Sequence, residues 1–152
     1  MQIDGVDQRI IASLVADARA SYADIGARVS LSAPAVKRRV DRLRAAGVIR
    51  GFTAVIDPAA VGWTTEAFVE LFCTGRTTPA QLAVATRRHP EVIGSYTVSG
   101  EADALVHLRA ADIAHLEQAL ERLRAEPFVT STRSMIVLSR LVDSPSVVSA
   151  PG

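Results

Sequence analysis

The sequence predicts an α+β protein with an N-terminal tri-helical, winged helix-turn-helix domain, a strand linker and a C-terminal ferredoxin-like βαββαβ domain. Two observations support this prediction. A basic amphipathic stretch over 32–47 follows two shorter amphipathic segments, and from Thr64 onward the apolar spacing alternates between about two and about 3.6 residues. The predicted boundaries are 1–50 for the first domain, 51–63 for the linker strand and turn, 64–142 for the second domain and 143–152 for a loose tail.

Basic charge is concentrated in the first third of the chain. The 152 residues carry a net charge of only +1, but residues 1–50 contain nine basic and five acidic side chains. The remaining residues contain eight basic and eleven acidic side chains. Six of the basic residues lie within 37–50, together with one acid, Asp41. This distribution indicates that the first domain carries a surface for nucleic acid.

The stretch 32–47 predicts the helix that reads DNA. Helical spacing places Val36, Val40 and Leu43 on one narrow apolar stripe, and basic residues surround that stripe. Ser32 is a favourable N-cap and Gly47 a favourable residue just after the last turn. A solvated amphipathic helix has the same pattern, so the segments before this helix decide between the two interpretations.

Two short helices are predicted before it. Asp4 caps the first, which ends near Ala18, and Ser21 caps the second with Asp24 three residues later. The connector 30–32 leaves room only for a tight turn. Two helices joined by so tight a turn, the second of them basic, are typical of a helix-turn-helix, and the first helix completes its core.

The N-terminal part of a recognition helix meets base edges, which makes Arg38 the candidate for a bidentate guanine contact. Arg42, one turn later, suits a phosphate. Arg39 borders the apolar stripe, so a structural ion pair and a DNA contact are both open. Ser32 and Arg50 can reach the DNA backbone, although capping alone would explain Ser32 and an exposed, solvated side chain would equally explain Arg50. The predicted DNA-binding residues are Ser32, Pro34, Lys37, Arg38, Arg42 and Arg50.

The linker 48–56 is rich in β-forming residues and predicts a strand that Asp57-Pro58 terminates. A lone strand is unstable, so this one must pair with another, for example its counterpart in a second subunit.

The second domain predicts strands at 67–73, 92–98, 104–109 and 129–138, with helices that begin after Thr78 and Asp112. This β-α-β-β-α-β order is typical of a four-stranded antiparallel sheet with both helices on one face. The other face is then uncovered, and its apolar candidates predict self-association: Phe68, Phe72, Tyr96, Met135 and Val137.

Other classes of protein find little support. The three histidines have no metal-ligand spacing, and the sequence has neither a glycine-rich phosphate loop nor a nucleophile motif. We therefore expect no enzyme activity, metal or cofactor. Cys73 lies in an apolar run and is expected to be a core residue. With no apolar run near the roughly 20 residues of a membrane span and no signal peptide, a cytoplasmic protein is expected.

Several pieces of the sequence, in this order and spacing, resemble the Lrp/AsnC family of bacterial and archaeal transcription regulators over nearly the whole chain. They include Ile3-Asp4 with Asp7, Leu31-Ser32, Arg42-Leu43, Gly47-Val48-Ile49, Gly51-Phe52-Thr53-Ala54 and Val98-Ser99-Gly100-Glu101. The resemblance implies partners of three kinds: double-stranded DNA, a small-molecule effector that is commonly an amino acid, and copies of the same chain as dimers that assemble into octamers.

The resemblance also implies an effector site. Its residues would be Ser99, Gly100, Glu101, Asp103, Met135, Ile136 and Val137. Backbone N–H groups of the glycine turn suit a carboxylate, and either Glu101 or Asp103 suits an ammonium group. An ordinary acidic hairpin turn is the alternative, and the chain departs from many members by having Ala104 where they have an aromatic residue.

The sequence thus predicts a sequence-specific regulator that senses a small metabolite. Two other functions stay open: a non-specific architectural DNA-binding protein, which would show little preference over random DNA, and an amino-acid-binding module that acts on an enzyme. The basic helix argues against the second.

Overall fold

The computed structural model describes residues 2–142, which form two compact units, residues 2–55 and Ile56–Val142. The predicted tail over 143–152 lies outside the described residues. No helix of the described chain is long and apolar enough to cross a membrane.

The first unit contains three helices, α1 (Gly5–Ala16), α2 (Tyr22–Val29) and α3 (Ala33–Ala45). The capping pattern predicted their starts: the Asp4 side chain accepts from Asp7 N, and the Ser21 side chain accepts from Asp24 N. Buried apolar residues from all three helices form one core: Ile10, Leu14, Ile25, Val29, Val36 and Val40. The amphipathic spacing therefore predicted the tri-helical unit correctly.

The end of α3 is set by Gly47, whose φ of +72° is unfavourable for any residue with a side chain. This backbone turn lets Val48 N donate to Leu43 O and Gly47 N donate to Arg44 O, both at 2.9 Å. The pair of bonds satisfies carbonyl groups that the last helical turn leaves free, as in a Schellman motif.

The prediction of a strand over 48–56 is wrong for the described chain. Residues 50–57 form neither helix nor strand, and the helix-turn-helix therefore has no strand wing. The physical reason is that a strand needs a neighbour for its backbone N–H and C=O groups, and none of the described strands pairs with this segment. Its apolar side chains are exposed instead, Val55 at 80% and Ile56 at 56%.

The second unit has the predicted β-α-β-β-α-β order. Its elements are β1 (Thr65–Cys73), α4 (Pro79–Thr86), β2 (Val92–Thr97), β3 (Ala104–Ala110), α5 (Ile113–Arg124) and β4 (Val129–Ile136), and a short 3-10 turn, Ala59–Val61, precedes them. The strands pair antiparallel in the order β2-β3-β1-β4. The first and last strands along the chain are therefore neighbours, and β2 and β4 are the two edges.

Along each strand, successive side chains lie on opposite faces of the sheet, so buried and open positions alternate. Ala67, Val69 and Leu71 of β1 are buried with alternate residues of β3 against Leu82 of α4 and Leu116 of α5. The register places Phe68 opposite both His107 and Met135, on the face without helices. The predicted assignment of Phe68, Phe72, Tyr96, Met135 and Val137 to the open side agrees with this register.

The open face is more polar than the sequence suggested. Phe68 stacks on the ring of His107 with centroids 4.3 Å apart, and His107 in turn contacts Glu66. Arg133 lies over the Phe72 ring, 5.6 Å from its centroid, and also binds Glu70. The face thus combines aromatic rings with paired charges and is not a purely apolar surface.

Candidate nucleic-acid interface and effector site

The N-terminal part of α3 has the features of a surface that approaches DNA closely. Ser32 is the N-cap residue by position, yet its side chain makes no capping hydrogen bond, and Pro34 occupies the first turn. Capping therefore does not explain Ser32, whose hydroxyl is exposed with no bond to any residue of 2–142. A free hydroxyl and free backbone N–H groups at a helix N-terminus suit a phosphate.

Arg38 is an exposed cation near this end of the helix. Its side chain has no hydrogen-bond or ion-pair partner within the described part of the chain, and neither has Arg50 after the helix. Lys37 binds Asp41 at 2.7 Å, and this hydrogen bond raises the pKa of Lys37. Both members of that pair are largely exposed, so the pair is weak and open to exchange with another anion.

Arg39 and Arg42 are held by α1. Arg39 Nη1 lies 2.8 Å from both Asp4 Oδ2 and Asp7 Oδ1, and Arg42 Nη2 lies 2.7 Å from Asp7 Oδ2. The hydrogen bond from Arg39 lowers the pKa of Asp4. Of the two roles considered for Arg39, the structure shows the ion pair, and it gives Arg42 a structural partner that the sequence did not reveal.

The loop between β2 and β3 contains four of the predicted effector residues. Gly100 has a φ of +135°, a backbone conformation that a residue with a side chain rarely adopts. Asp103 anchors the loop to the end of β1, since its Oδ2 accepts from Cys73 N at 2.7 Å and its N–H donates to Leu71 O. Glu101 is exposed and makes no hydrogen bond to the described residues, so its carboxylate is the freer of the two.

A cleft of ≈ 400 Å³ adjoins this loop. It lies between α4 and the edge strand β2, and Thr97 and Ala104, which flank the loop, are among its lining residues. Leu82 and Val92 give it an apolar side, and Arg87 gives it a cation at the rim. Sequence reasoning missed this cleft, because it depends on how α4 packs against an edge strand.

The other three predicted effector residues lie elsewhere in the unit. Met135 and Ile136 are on β4, and Val137 follows them; β4 is the edge of the sheet opposite β2. Met135 pairs with Phe68, which lies five residues, about 17 Å, along β1 from Cys73, where Asp103 anchors the loop. Within one chain, the structure does not bring these three residues to the loop.

Glu91, just before β2, is a buried carboxylate outside the predicted sites. It accepts hydrogen bonds from His115 Nε2, at 2.9 Å, and from Arg122. Burial by itself raises the pKa of Glu91, but the hydrogen bonds from its own backbone, His115 and Arg122 outweigh burial, so the pKa lies below its ordinary value. Through these hydrogen bonds, Glu91 connects α5 to the start of β2.

Comparison with known proteins follows the same division of the chain. Residues 3–44 match the AsnC-type helix-turn-helix domain, and residues 66–147 match the Lrp/AsnC ligand binding domain. The chain belongs to the Lrp/AsnC family. The regulator is 53% identical over 142 residues to the HTH-type transcriptional regulator Rv2324 of Mycobacterium tuberculosis, covering 93% of this chain and 96% of that protein. It is thus a transcriptional regulator with a DNA-binding and a ligand-binding domain, and its relatives are regulators rather than enzymes.

Solved structures support the assignment. The regulator superposes with a TM-score of 0.89 on the feast or famine regulatory protein Rv3291c of M. tuberculosis complexed with L-methionine, at 32% identity and covering 97% of this chain and all of that one. A transcriptional regulator of Neisseria meningitidis, NMB0573, also in complex with L-methionine, matches with a TM-score of 0.87 at 25% identity over 96% of each chain.

Proposed function

We propose that the regulator binds specific operator sequences through the N-terminal half of α3. The observation that carries the proposal is Arg38, an exposed cation without a partner in the described chain, one turn after Pro34. Arg38 reads a guanine, while the rest of the surface contacts the backbone or borders the groove: Ser32, Pro34, Lys37, Arg42 and Arg50.

We place the DNA-binding domain at 1–50, the linker at 51–63 and the sensor at 64–142.

The test is DNA binding by Arg38→Ala. An operator is first selected from a random DNA pool with the full-length protein, and the affinities for this operator and for random duplex are then measured by gel shift. Loss of one bidentate base contact should weaken operator binding by about 1–3 kcal/mol and relax the preference at one base pair.

Arg76→Ala is the matched control, because Arg76 is an exposed arginine in the second unit. It removes the same charge and should leave specificity unchanged. Wild-type operator affinity in Arg38→Ala would refute the role of Arg38. Equal affinity of the wild-type protein for selected and random DNA would favour an architectural protein instead.

We further propose that the effector is an amino acid held by the β2–β3 loop and the adjoining cleft. Support comes from the turn at Gly100, the free carboxylate of Glu101 and the two similar proteins solved with L-methionine. Backbone N–H groups near Gly100 take the ligand carboxylate, Glu101 or Asp103 takes its ammonium group, and Ser99 lines the turn. Met135, Ile136 and Val137 join this site from another copy of the chain.

A thermal-shift screen of the twenty amino acids identifies the ligand, since a ligand at 100 times its Kd stabilises the folded state by about 2.7 kcal/mol. Glu101→Gln should abolish that shift. Glu101 is a better choice than Asp103, whose carboxylate also holds Cys73 N. Glu117→Gln, at an exposed position on α5, is the control and should keep the shift. An unchanged Kd in Glu101→Gln would place the ammonium site elsewhere.

We also propose that the open face of the sheet and the exposed apolar segment 48–56 contact a second copy of the chain in the cytoplasm, where the regulator reaches its DNA. The face exposes Tyr96 and Met135, and the linker has no strand partner in the described chain. Met135→Lys should reduce the dimer fraction measured by light scattering at micromolar concentration. Val84→Lys, at a similarly exposed apolar residue of α4, should not; a wild-type protein that is monomeric there would refute the pairing.

A further inference from the structure

Asp7 is a fully buried carboxylate with more partners than a helix cap requires. As the third residue of α1 it accepts from Asp4 N at 3.3 Å, which completes the capping box. Its two oxygens also accept from Arg39 at 2.8 Å and from Arg42 at 2.7 Å. Its side chain is 0% exposed, and these two guanidinium groups with the Asp4 N–H are the partners that satisfy the buried carboxylate.

The two arginines are held in different ways. Arg39 bridges Asp4 and Asp7, and its side chain is only 25% exposed. Arg42 touches Asp7 with one nitrogen, Nη2, and its side chain is 49% exposed. A guanidinium group carries five N–H donors in one plane, so a contact at one nitrogen holds the group near Asp7 and leaves donors for a second anion. For Arg42, those remaining donors have no partner among residues 2–142.

We propose that Asp7 is a positioning residue for DNA binding, because it holds Arg42 by one nitrogen and presents the free edge of that guanidinium group to a DNA phosphate. The inference rests on the proposed placement of α3 on DNA and on Arg42 as a phosphate contact. Without Asp7, this edge is no longer held toward the phosphate, and the contact is lost rather than made at a higher entropic cost. Arg38, which has no such anchor, contrasts with it on the same helix.

The salt dependence of binding separates this role from a merely structural one. Each phosphate contact contributes about 0.9 to the slope of log affinity against log salt concentration. If a variant is only partly folded, its apparent affinity falls by the same factor at every salt concentration, and the slope is unchanged. Loss of a phosphate contact lowers the slope. The probe is a short random-sequence duplex, since phosphate contacts are independent of sequence.

Full-length Asp7→Asn should bind this duplex several-fold more weakly than the wild type, with a slope lower by about 0.9 between 50 and 200 mM salt. Arg42→Gln should show the same lowered slope as Asp7→Asn. The double variant should have this slope too and should bind no more weakly than the single variants. Asp17→Asn is matched in charge, because Asp17 is an exposed acid at the end of α1. Because this control removes a negative charge that DNA repels, it should bind the duplex as tightly as the wild type or more tightly, with the wild-type slope.

Three results would overturn the proposal. A wild-type slope in Asp7→Asn would make Asp7 a structural clamp only, and a steeper slope with tighter binding would mean that Asp7 withholds Arg42 from DNA. A wild-type slope in Arg42→Gln would remove the phosphate contact itself, whereas loss of operator preference in Arg38→Ala would still support DNA binding through α3.

Arg42→Lys keeps the proposal testable if Asp7→Asn does not fold. The lysine ammonium is a compact charge without a second, planar edge, so Asp7 holds it and no donor plane is presented to DNA. We expect the lower slope in this variant, although its net charge is unchanged. A wild-type slope in Arg42→Lys would show that charge alone suffices and would overturn the positioning role of Asp7.

Discussion

Ser30, between α2 and α3, is a position where one substitution should stabilise the DNA-binding unit. It is the C-cap of α2, with φ 60° and ψ 43°, and is the only residue other than glycine with positive φ among residues 2–142. The left-handed region costs a residue with a side chain about 1–2 kcal/mol. Glycine removes this strain but gains about 0.4–1 kcal/mol of freedom in the unfolded chain. Ser30→Gly should therefore raise the free energy of unfolding by about 0.5–1 kcal/mol.

Thermal melting by far-ultraviolet circular dichroism measures the effect, which corresponds to an increase in Tm of about 2–8 °C for a unit of this size. Hydrogen exchange in the peptide 22–29 localises the gain to the first unit. Ser30→Ala is the control: it keeps the strain and removes only an exposed hydroxyl, so its Tm should stay near that of the wild type. If Ser30→Gly melts no higher than Ser30→Ala, backbone strain at this turn is not a source of instability.

Three further predictions concern the second unit. Gly100→Val should lower Tm, with about 1–3 kcal/mol of strain at φ +135°, whereas Gly75→Val, at a turn glycine with no neighbour near its Cβ position, should change it much less. Asp103→Ala should destabilise by about 1 kcal/mol because Cys73 N loses its acceptor, and Asp103→Asn, which keeps an acceptor oxygen, should retain most of the wild-type stability in urea unfolding. Hydrogen bonds hold the pKa of Glu91 below its ordinary 4.5, so the stability that this carboxylate contributes is present above pH 4.5 and is lost as the pH falls through the lowered pKa. The stability gap between the wild type and Glu91→Gln in urea should shrink below pH 4.5, and a constant gap down to about pH 3 would contradict this cause.

Much of the fold could be predicted because its signals are local. Caps at Asp4, Ser21, Thr78 and Asp112 mark four helix starts, and the structure shows a side-chain capping bond at each. Such bonds join residues three positions apart, so the sequence displays both partners together. Alternation in β1 likewise predicted which residues share a face of the sheet.

The linker shows where local signals fail. Its β-forming residues predicted a strand, but propensity supplies no hydrogen-bond partner, and residues 50–57 are not a strand in the described chain. Apolar character alone also fails to predict burial, because Val15 follows the buried Leu14 on α1 and is nevertheless 43% exposed.

Outside the linker, the sequence by itself determined the order of helices and strands, the basic character of α3 and the glycine turn at Gly100, since each depends on residues a few positions apart. Only the tertiary structure decided that Arg42 meets Asp7, 35 residues away, and that Met135 lies on the sheet edge opposite the effector loop. Both outcomes depend on how helices cross and in which order strands pair. Those choices are made by the burial of the whole core, to which every element contributes and which no single stretch of sequence contains.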